Sequence, residues 1–345
     1  MKKLVIIGGG FAGAKIAKAL ESEFNVTLID SKDYFEFTPS ILRAIVKTKH
    51  LKKIQILHKY YLKKSKIIKG CVKEINKDKV ILENNSQLKF DYLVICSGSN
   101  YNSPFKEQNI VIAARGNHLK NYHSKLEKSK DITIIGGGLV GIELAWEIVW
   151  KYPSKKVTII QSRKTILSRN HQKTINHAKK YLEKKRVKII YNEKAITQNK
   201  SLILTDKGTK IKSDLVFLCT GISPNSEFLN HKFKKNLDNR KHIKVNSNLQ
   251  LENYPNIFVA GDVNNIPEEK TAQSAEKQAE IVIENIKNLE LKKELIQYIP
   301  KEKPMVISLG KYNGIFEYKK IVLTGIIPAF LKWFVEKKTI TRYKN

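Results

Sequence analysis

The chain has 345 residues and a formal net charge of +32, from 64 Lys and Arg residues against 32 Asp and Glu residues. Its length predicts two or three domains, and a hydrophobic content of 41% excludes a wholly disordered protein. The charge reflects in part a general bias towards lysine, but it also favours an acidic protein partner or an anionic membrane surface. Nucleic acid is the least expected partner, because the sequence contains no recognisable nucleic-acid-binding module.

Two stretches of the chain share one pattern of strand, glycine-rich turn, helix and strand. The first has VIIGGGFAG at 5–13 and the strand VTLID at 26–30, and the second has TIIGGGLVG at 133–141 and the strand VTIIQ at 157–161. This is the βαβ unit that binds dinucleotides, and the glycine motif is informative because it lies in that setting twice. The sequence therefore predicts two nucleotide-binding units of common ancestry.

The three glycines of each turn have separate roles. The first permits the tight turn from strand to helix, the second lets the backbone approach a pyrophosphate, and the third lets the helix pack on the strand. The N-terminus of the helix then offers free N–H groups to the phosphates. These glycines are Gly8, Gly10 and Gly13 in the first unit and Gly136, Gly138 and Gly141 in the second.

Each unit is followed by a series of short strands. Residues 67–99 and 189–221 share this plan, and each stretch ends in a buried strand and a turn, at Ser97-Gly98 and at Gly221. The predicted fold class is therefore α/β, with two Rossmann-like nucleotide-binding domains that each carry a β-meander. A small C-terminal α+β region with an amphipathic helix completes the chain.

The residue that ends the second strand of each unit predicts which nucleotide is bound. In the first unit it is Asp30, whose carboxylate suits the ribose hydroxyls of FAD or NAD. In the second it is Gln161, followed by Ser162 and Arg163. A neutral amide does not repel a 2′-phosphate and Arg163 can pair with one, so we expect NADPH to be accepted there, alongside NADH. The alternative is that Arg163 only stacks on the adenine.

A later segment indicates that the first nucleotide is FAD. NIFVAGDVNN at 256–265 places Asp262 after a buried strand and a glycine, where its carboxylate can hold the ribityl chain. The amphipathic helix that follows begins near Thr271 and Ala272, and its N-terminus can stabilise the anion of a reduced flavin. The alternative is an ordinary Gly-Asp turn before an ordinary helix.

These features predict the limits of the domains. We expect the chain to return from the second unit to the first at Asp214 and Leu215. The predicted limits are 1–110 and 213–286 for a discontinuous FAD-binding domain, 111–212 for an NAD(P)H-binding domain, and 287–345 for the C-terminal region.

The cysteines and the apolar runs bear on location. Cys71, Cys96 and Cys219 form no CxxC pair, and their odd number argues against a disulfide framework, so a cytoplasmic location is expected. The apolar run near the start of the chain breaks at Gly8, too early for a signal peptide. The longest apolar run, at 321–331, has about half the length of a membrane-spanning helix, so we expect no span.

The chain resembles the FAD-dependent pyridine nucleotide oxidoreductases over nearly its whole length. The motifs that carry the resemblance are VIIGGGFAG, DYFEFTPSILRAIV, DYLVICSGS, GGGLVGIELAWEI, LCTGISPN, NIFVAGDV and SLGKYNGIF. Within this family the chain is similar to the type II NADH dehydrogenases and to the apoptosis-inducing-factor-like, ferroptosis-suppressor NAD(P)H:quinone reductases. The resemblance implies that a hydride passes from NAD(P)H to flavin N5 and that two electrons then pass to a quinone.

The resemblance also implies roles for particular residues. Glu143 would help to place the nicotinamide, although an acid in the first turn of a helix is favourable there by itself. Lys270 would lie by the flavin edge as a donor to the quinone or to the reduced flavin; the alternative is a solvated surface lysine. Besides the glycines and Asp30, the residues assigned to FAD are Arg43, Val72 and Asp262. Residues that flank the motifs complete the predicted cofactor-binding set: Phe11, Ala12, Ser31, Ser97, Gly98, Gly221, Thr271 and Ala272.

The cysteine pattern separates this chain from two related classes. Disulfide reductases place a Cys-x4-Cys pair after the first ribose-binding acid, whereas residues 33–50 contain no cysteine, so we expect no redox-active disulfide. Sulfide:quinone oxidoreductases need reactive cysteines beside the flavin, whereas Cys96 and Cys219 end buried strands. That class, and a reductase of an acidic ferredoxin or rubredoxin, remain the alternatives.

The C-terminal tail predicts where the protein binds its electron acceptor, the quinone. Leu323, Ile326, Ile327, Phe330, Leu331 and Phe334 fall at helical spacings of three and four, and the tail at 320–345 is basic. This pattern is typical of a helix that lies in a membrane interface, so we expect peripheral attachment to the inner face of the cell membrane. The alternative is that the apolar residues pack on the protein itself or on the second subunit of a homodimer. Pro328 is expected to interrupt the helix or to begin its second segment, and the quinone is expected beside 35–39 and 271–278.

Overall fold

The structure is a computed structural model that describes residues 1–101, 110–112, 119–199, 201–229, 231–310 and 312–344. Its helices are α1 (Phe11–Leu20), α2 (Ile41–Val46), α3 (Leu51–Ile54), α4 (His58–Tyr61), α5 (Leu119–Lys128), α6 (Leu139–Lys151), α7 (Gln172–Lys184), α8 (Ala272–Glu290) and α9 (Ile326–Arg342). Short 3₁₀ helices span Thr38–Ser40, Thr48–His50 and His231–Asn236.

The strands follow in chain order. They are β1 (Lys3–Ile7), β2 (Asn25–Asp30), β3 (Tyr34–Glu36), β4 (Gln55–Leu57), β5 (Lys66–Lys69), β6 (Val72–Ile75), β7 (Lys79–Leu82), β8 (Gln87–Lys89), β9 (Tyr92–Ile95), β10 (Ser99–Tyr101), β11 (Ile110–Ile112), β12 (Asp131–Ile135), β13 (Lys156–Gln161), β14 (Lys188–Tyr191), β15 (Ala195–Asn199), β16 (Leu202–Thr205), β17 (Lys210–Lys212), β18 (Leu215–Leu218), β19 (Ile222–Pro224), β20 (Gln250–Leu251), β21 (Tyr254–Val259), β22 (Met305–Ser308), β23 (Gly314–Tyr318) and β24 (Ile321–Gly325).

Two sheets with the same plan organise the molecule. The first has the order β20-β21-β9-β1-β2-β5 and the second has the order β11-β18-β12-β13-β14. In each sheet, the strand before the glycine turn lies between two parallel neighbours. In the first sheet β1 lies between β9 and β2, and in the second β12 lies between β18 and β13. Three-stranded antiparallel sheets, β6-β7-β8 and β15-β16-β17, form the two meanders. The predicted α/β fold with duplicated nucleotide-binding units is therefore confirmed.

The pairing of β18 bears on the predicted domain limits. Leu215–Leu218 pairs in parallel with β12 and with β11, so the strand belongs to the second sheet. The chain therefore leaves that sheet only after Leu218, and not at Asp214 and Leu215 as predicted. The predicted limit at 110/111 falls within β11, between two stretches outside the described residues. The domain limits otherwise remain predictions.

The long helix α8 joins the C-terminal part of the chain to the first sheet. Its residues Ala275, Ala279, Val282 and Ile286 recur every three or four positions and are buried, as an amphipathic helix requires. This face packs against α1. The Thr271 hydroxyl accepts a hydrogen bond from the Ser274 backbone N–H and so caps the helix. α8 begins close to the first glycine turn, because Gly261 lies near both Ala275 of α8 and Ala12 of α1.

The C-terminal region consists of a sheet in the order β22-β23-β24 and the helix α9. α9 starts at Ile326, after Gly325 at φ +102°. Leu323, which the sequence pattern placed on the helix, therefore lies on β24. Pro328 is the third residue of one continuous helix, where its missing N–H costs no intrahelical bond. Among the described residues no helix combines the length and the apolar character needed to span a bilayer.

Candidate functional site

A cleft of about 1560 Å³ opens where the two glycine turns face each other. Its walls come from the carboxyl ends of parallel strands in the two large sheets, the part of an open α/β sheet at which ligands bind. A typical site for one small molecule measures roughly 300–1,000 Å³, so this cleft has the size for more than one. Both glycine turns, the N-terminus of α8 and the segment 300–306 line it.

In the first glycine turn, the surroundings of each glycine explain its presence. Gly8 has φ +96°, and a Cβ there would overlap the Cys96 carbonyl. A Cβ at Gly13 would overlap the carbonyl of Gly8, because α1 crosses close to the turn. A Cβ at Gly10 would meet nothing within 4 Å. Gly10 is therefore glycine because its backbone faces open space in the cleft, where a phosphate would otherwise meet a side chain.

The second turn repeats this geometry. Gly136 has φ +113° and approaches the Cys219 carbonyl, and Gly141 approaches the carbonyl of Gly136, while Gly138 faces open space. The helices α1 and α6 begin directly after Gly10 and Gly138, and neither N-terminus is capped by a side chain. Each turn therefore offers free N–H groups and room for a pyrophosphate, which fits FAD and a nicotinamide nucleotide.

The residues that end β2 and β13 occupy equivalent positions in the two units but differ in chemistry. Asp30 Oδ2 accepts a hydrogen bond from the Gly9 backbone N–H at 2.5 Å, and Gln161 Oε1 accepts one from the Gly137 N–H at 3.3 Å. Burial by itself would raise the pKa of Asp30, but His58, Lys32 and the Gly9 N–H outweigh it and hold the pKa below its usual value. The first site therefore carries an ionised acid where the second carries an amide.

A third group of predicted residues meets at the N-terminus of α8. Asp262 Oδ2 accepts a hydrogen bond from the Ser99 hydroxyl at 2.7 Å, and both residues line the cleft. The Gly261 N–H donates to Gln278 Oε1 at 2.7 Å, which ties the turn to α8. The carboxylate of Asp262 and the positive end of the α8 dipole therefore lie on the same wall of the cleft.

Lys270 lies at this wall and is partly buried. Its ammonium donates to the backbone carbonyls of Asn264 and Ile266 at 2.8 and 3.0 Å, and to Asn264 Oδ1 at 3.3 Å. Burial lowers its pKa. All three donors of the ammonium thus have acceptors in the loop before α8, so the contacts tie that loop together and a donor role at the flavin stays a prediction.

Most of the remaining predicted cofactor residues line the cleft. They are Phe11, Ala12, Ser31, Val72, Ser97, Gly98, Arg163, Gly221, Thr271 and Ala272. Arg43 does not. Its Nε donates to Glu147 Oε1 at 3.1 Å, and both side chains line a second cavity. The assignment of Arg43 to FAD therefore has no support from its position.

The second cavity measures about 370 Å³ and lies between α2, α6 and α9. Glu143 lines both this cavity and the large cleft. It is buried, and its Oε1 accepts hydrogen bonds from the Ser308 backbone N–H at 2.7 Å and from the Lys332 ammonium. The sequence did not reveal this arrangement, because Lys332 follows Glu143 by 189 residues and looks like one more basic residue of the tail.

The cysteines do not form a redox pair. All three thiols are free. Cys96 and Cys219 are buried, and burial raises the pKa of each thiol to about 12, so neither forms the reactive thiolate. Cys71 is exposed and its pKa is also raised, chiefly by partial burial of the thiol. Among the described residues, no cluster of His, Cys, Asp or Glu side chains has the arrangement of a metal site.

Comparisons with known proteins agree with this geometry. The chain is 33% identical to apoptosis-inducing factor homolog B of Dictyostelium discoideum, over 98% of this chain and 94% of that protein. It is 30% identical to ferroptosis suppressor protein 1 of Xenopus tropicalis, over 96% and 92%.

Two solved structures share the fold. The sulfide:quinone oxidoreductase of Aquifex aeolicus superposes with a TM-score of 0.86 at 19% identity, over 100% of this chain and 92% of that one. NDH2 of Plasmodium falciparum in complex with NADH gives 0.86 at 16% identity, over 99% and 96%. The family model described as pyridine nucleotide-disulphide oxidoreductase matches residues 2–279. The chain thus belongs to this family, and it is an oxidoreductase that uses FAD and NAD(P)H.

Proposed function

We propose that the protein is an NAD(P)H:quinone oxidoreductase that meets its quinone at a membrane surface. One observation supports this most strongly. Glu143, the residue predicted beside the nicotinamide, forms a common wall of the nucleotide cleft and of the second cavity. That second cavity is bordered by exposed apolar residues of α9. A lipid-soluble acceptor thus has an apolar approach to the neighbourhood of the nucleotide cleft.

The quinone would approach along the outer side of α9. Its large apolar side chains are between 47% and 66% exposed, and we call them the apolar face: Ile326, Ile327, Phe330, Trp333 and Phe334. The other side of the helix is attached to the rest of the protein by two ion pairs, Lys332 with Glu143 and Arg342 with Glu276. About half or more of the surface of each side chain of the apolar face stays exposed, although Ile326, Phe330 and Trp333 also line the second cavity. A membrane or a second subunit would cover the apolar face.

Other residues of the chain would bind and orient the two cofactors. Bound FAD supplies the chemistry, because it accepts two electrons as a hydride and gives them up to a second acceptor. The turns at Gly10 and Gly138 would hold the two pyrophosphates, and Asp30 the adenosine ribose of FAD. The N-terminus of α8 would stabilise negative charge on the reduced cofactor. Glu143, fixed by Ser308 and Lys332, would orient the nicotinamide from the wall between the two cavities.

Stopped-flow spectroscopy of the bound flavin tests the acceptor. After reduction by one equivalent of NADPH without oxygen, the protein is mixed with a short-chain quinone, a ferredoxin or oxygen. We expect reoxidation to be fastest with the quinone. Fastest reoxidation by the ferredoxin would instead identify an electron-carrier reductase, and reduction of the flavin by sulfide would identify a sulfide:quinone oxidoreductase.

The second nucleotide site predicts acceptance of NADPH. Gln161 uses its amide within the turn, donating to the Thr165 carbonyl at 2.7 Å, and the neighbouring Arg163 guanidinium lines the cleft. Gln161→Glu places a carboxylate where a 2′-phosphate would lie, so we expect the ratio of KM for NADPH to KM for NADH to rise roughly tenfold or more. Lys164→Ala, next to Arg163 but outside the cleft lining, is the control. An unchanged ratio in Gln161→Glu would refute the assignment.

The apolar face predicts binding to lipid vesicles. Phe330 and Trp333 are about half exposed, and burying such side chains contributes on the order of 1 kcal/mol or more each. In sedimentation with anionic vesicles, Phe330→Asp/Trp333→Asp should weaken the partitioning of the protein roughly tenfold or more. Ile299→Asp, which changes an equally exposed apolar residue outside α9, should leave it unchanged. If the wild-type protein does not bind vesicles but dimerises through this face, the face is instead the contact with a second subunit.

A further inference from the structure

A buried histidine lies directly behind the first glycine turn. His58, the first residue of α4, has no exposed surface. Its Nδ1 is 2.6 Å from the hydroxyl oxygen of Tyr61. Its Nε2 has no hydrogen-bond partner among the described residues and lies 3.7 Å from Asp30 Oδ2. An imidazole nitrogen buried in this way is costly unless it interacts with a polar group, and the nearest candidate is the carboxylate of Asp30.

The hydrogen bond with Tyr61 determines which nitrogen carries the proton. Burial raises the pKa of Tyr61, with further contributions from Tyr343 and Asp30, so the phenol keeps its proton. If Nδ1 donated to Tyr61, the lone pair of Nε2 would face an anionic carboxylate, which is unfavourable. If instead the phenol donates to Nδ1, Nε2 carries the hydrogen and directs it towards Asp30. Tyr61 then donates to His58, and the Nε2–H of His58 points towards the carboxylate of Asp30.

The middle glycine of the GGG sequence explains how the histidine fits. Gly9 is not one of the three glycines of the dinucleotide motif, yet a Cβ there would lie 2.5 Å from the His58 ring and 2.7 Å from Asp30 Oδ2. At the equivalent Gly137 of the second turn, a Cβ would meet Ile166 and Gln161. The second turn therefore has an aliphatic side chain where the first has an imidazole, and an amide where the first has a carboxylate.

We infer that His58 is a positioning residue for FAD, which acts through Asp30 and does not touch the cofactor. Its Nε2–H holds the ionised carboxylate in the orientation that presents oxygen lone pairs to the adenosine ribose. Tyr61 fixes the tautomer that makes this possible. The inference rests on the proposed function only for the assignment of Asp30 to that ribose.

The affinity of the apoprotein for FAD, measured by quenching of flavin fluorescence, tests the inference. His58→Phe keeps an aromatic ring but removes the imidazole N–H that lies 3.7 Å from the Asp30 carboxylate. Losing this charge–dipole interaction should weaken FAD binding roughly tenfold. His58→Gln, whose amide can donate towards Asp30, should restore the affinity to within about threefold. Tyr61→Phe, which removes only the hydroxyl, should weaken binding by an intermediate factor.

A double-mutant cycle separates positioning from simple packing. If His58 acts through Asp30, His58→Phe/Asp30→Asn should bind FAD no more weakly than Asp30→Asn alone. NADPH binding at the second turn and the melting temperature of the apoprotein are the controls. Equal losses in His58→Gln and His58→Phe, or losses that multiply in the double variant, would overturn the inference while leaving the flavin site intact. Wild-type apoprotein that binds no FAD would overturn the proposed function as well.

Discussion

Gly138→Val should give a yellow protein that NADPH no longer reduces, and Gly10→Val should give a folded protein without flavin. In each case the new side chain would point into open space, because a Cβ at either position meets nothing within 4 Å. Both glycines also have extended backbone with φ near −78°, which other residues adopt. The substitutions therefore fill the phosphate cradles without disturbing the fold, one cradle at a time.

The measurements for this pair are the flavin absorbance of the purified variants, their NADPH-dependent bleaching and their circular dichroism. Gly8→Val and Gly141→Val are the matched controls, because their Cβ atoms would overlap backbone carbonyls. We expect those two to lose stability or fail to fold. If Gly10→Val kept its flavin at wild-type affinity, the first turn would not be the FAD cradle, and normal reduction of Gly138→Val would exclude the second turn as the NAD(P)H site.

Lys332→Met should slow the reduction of the flavin by NAD(P)H about tenfold or more and should destabilise the attachment of α9. The substitution leaves the buried carboxylate of Glu143 with the Ser308 N–H as its remaining donor. Breaking a buried ion pair by removing one partner costs about 3–5 kcal/mol. The carboxylate would then shift towards the cleft, and this alters the wall at which we place the nicotinamide.

Three comparisons make this prediction specific. Lys338→Met changes an exposed lysine six residues further along the same helix and should have no effect. Glu143→Gln/Lys332→Met removes both charges and should recover much of the stability that Lys332→Met loses, but not the rate of flavin reduction. Wild-type stability and wild-type reduction kinetics in Lys332→Met would show that the ion pair contributes nothing to the site.

The parts of the site that sequence reasoning found are those with local rules. The spacing Gly8, Gly10 and Gly13 is dictated by the geometry of one turn, so it is readable within nine residues and again at Gly136, Gly138 and Gly141. The acid and the amide that end β2 and β13 follow from the same rule. The cap of α8 at Thr271 is likewise local, since it depends on a contact three residues apart.

The parts that sequence reasoning missed depend on contacts between distant segments. Nothing in the tail sequence distinguishes Lys332 from its basic neighbours, and only the folded chain brings it to Glu143. Arg43 looked like a cofactor residue by resemblance, whereas its partner Glu147 lies 104 residues away on α6. Leu323 fits a helical period but pairs in β24, because short apolar runs satisfy both periodicities.

Reoxidation of the reduced protein by a long-chain quinone held in anionic vesicles tests the proposed function most directly. We expect the wild-type flavin to reoxidise at least tenfold faster than that of Ile327→Asp/Phe334→Asp, which changes two exposed residues of the apolar face that line neither cavity. A water-soluble short-chain quinone should reoxidise both proteins at the same rate. Equal rates with vesicle-bound quinone, or reoxidation of the wild-type protein by oxygen alone, would contradict it.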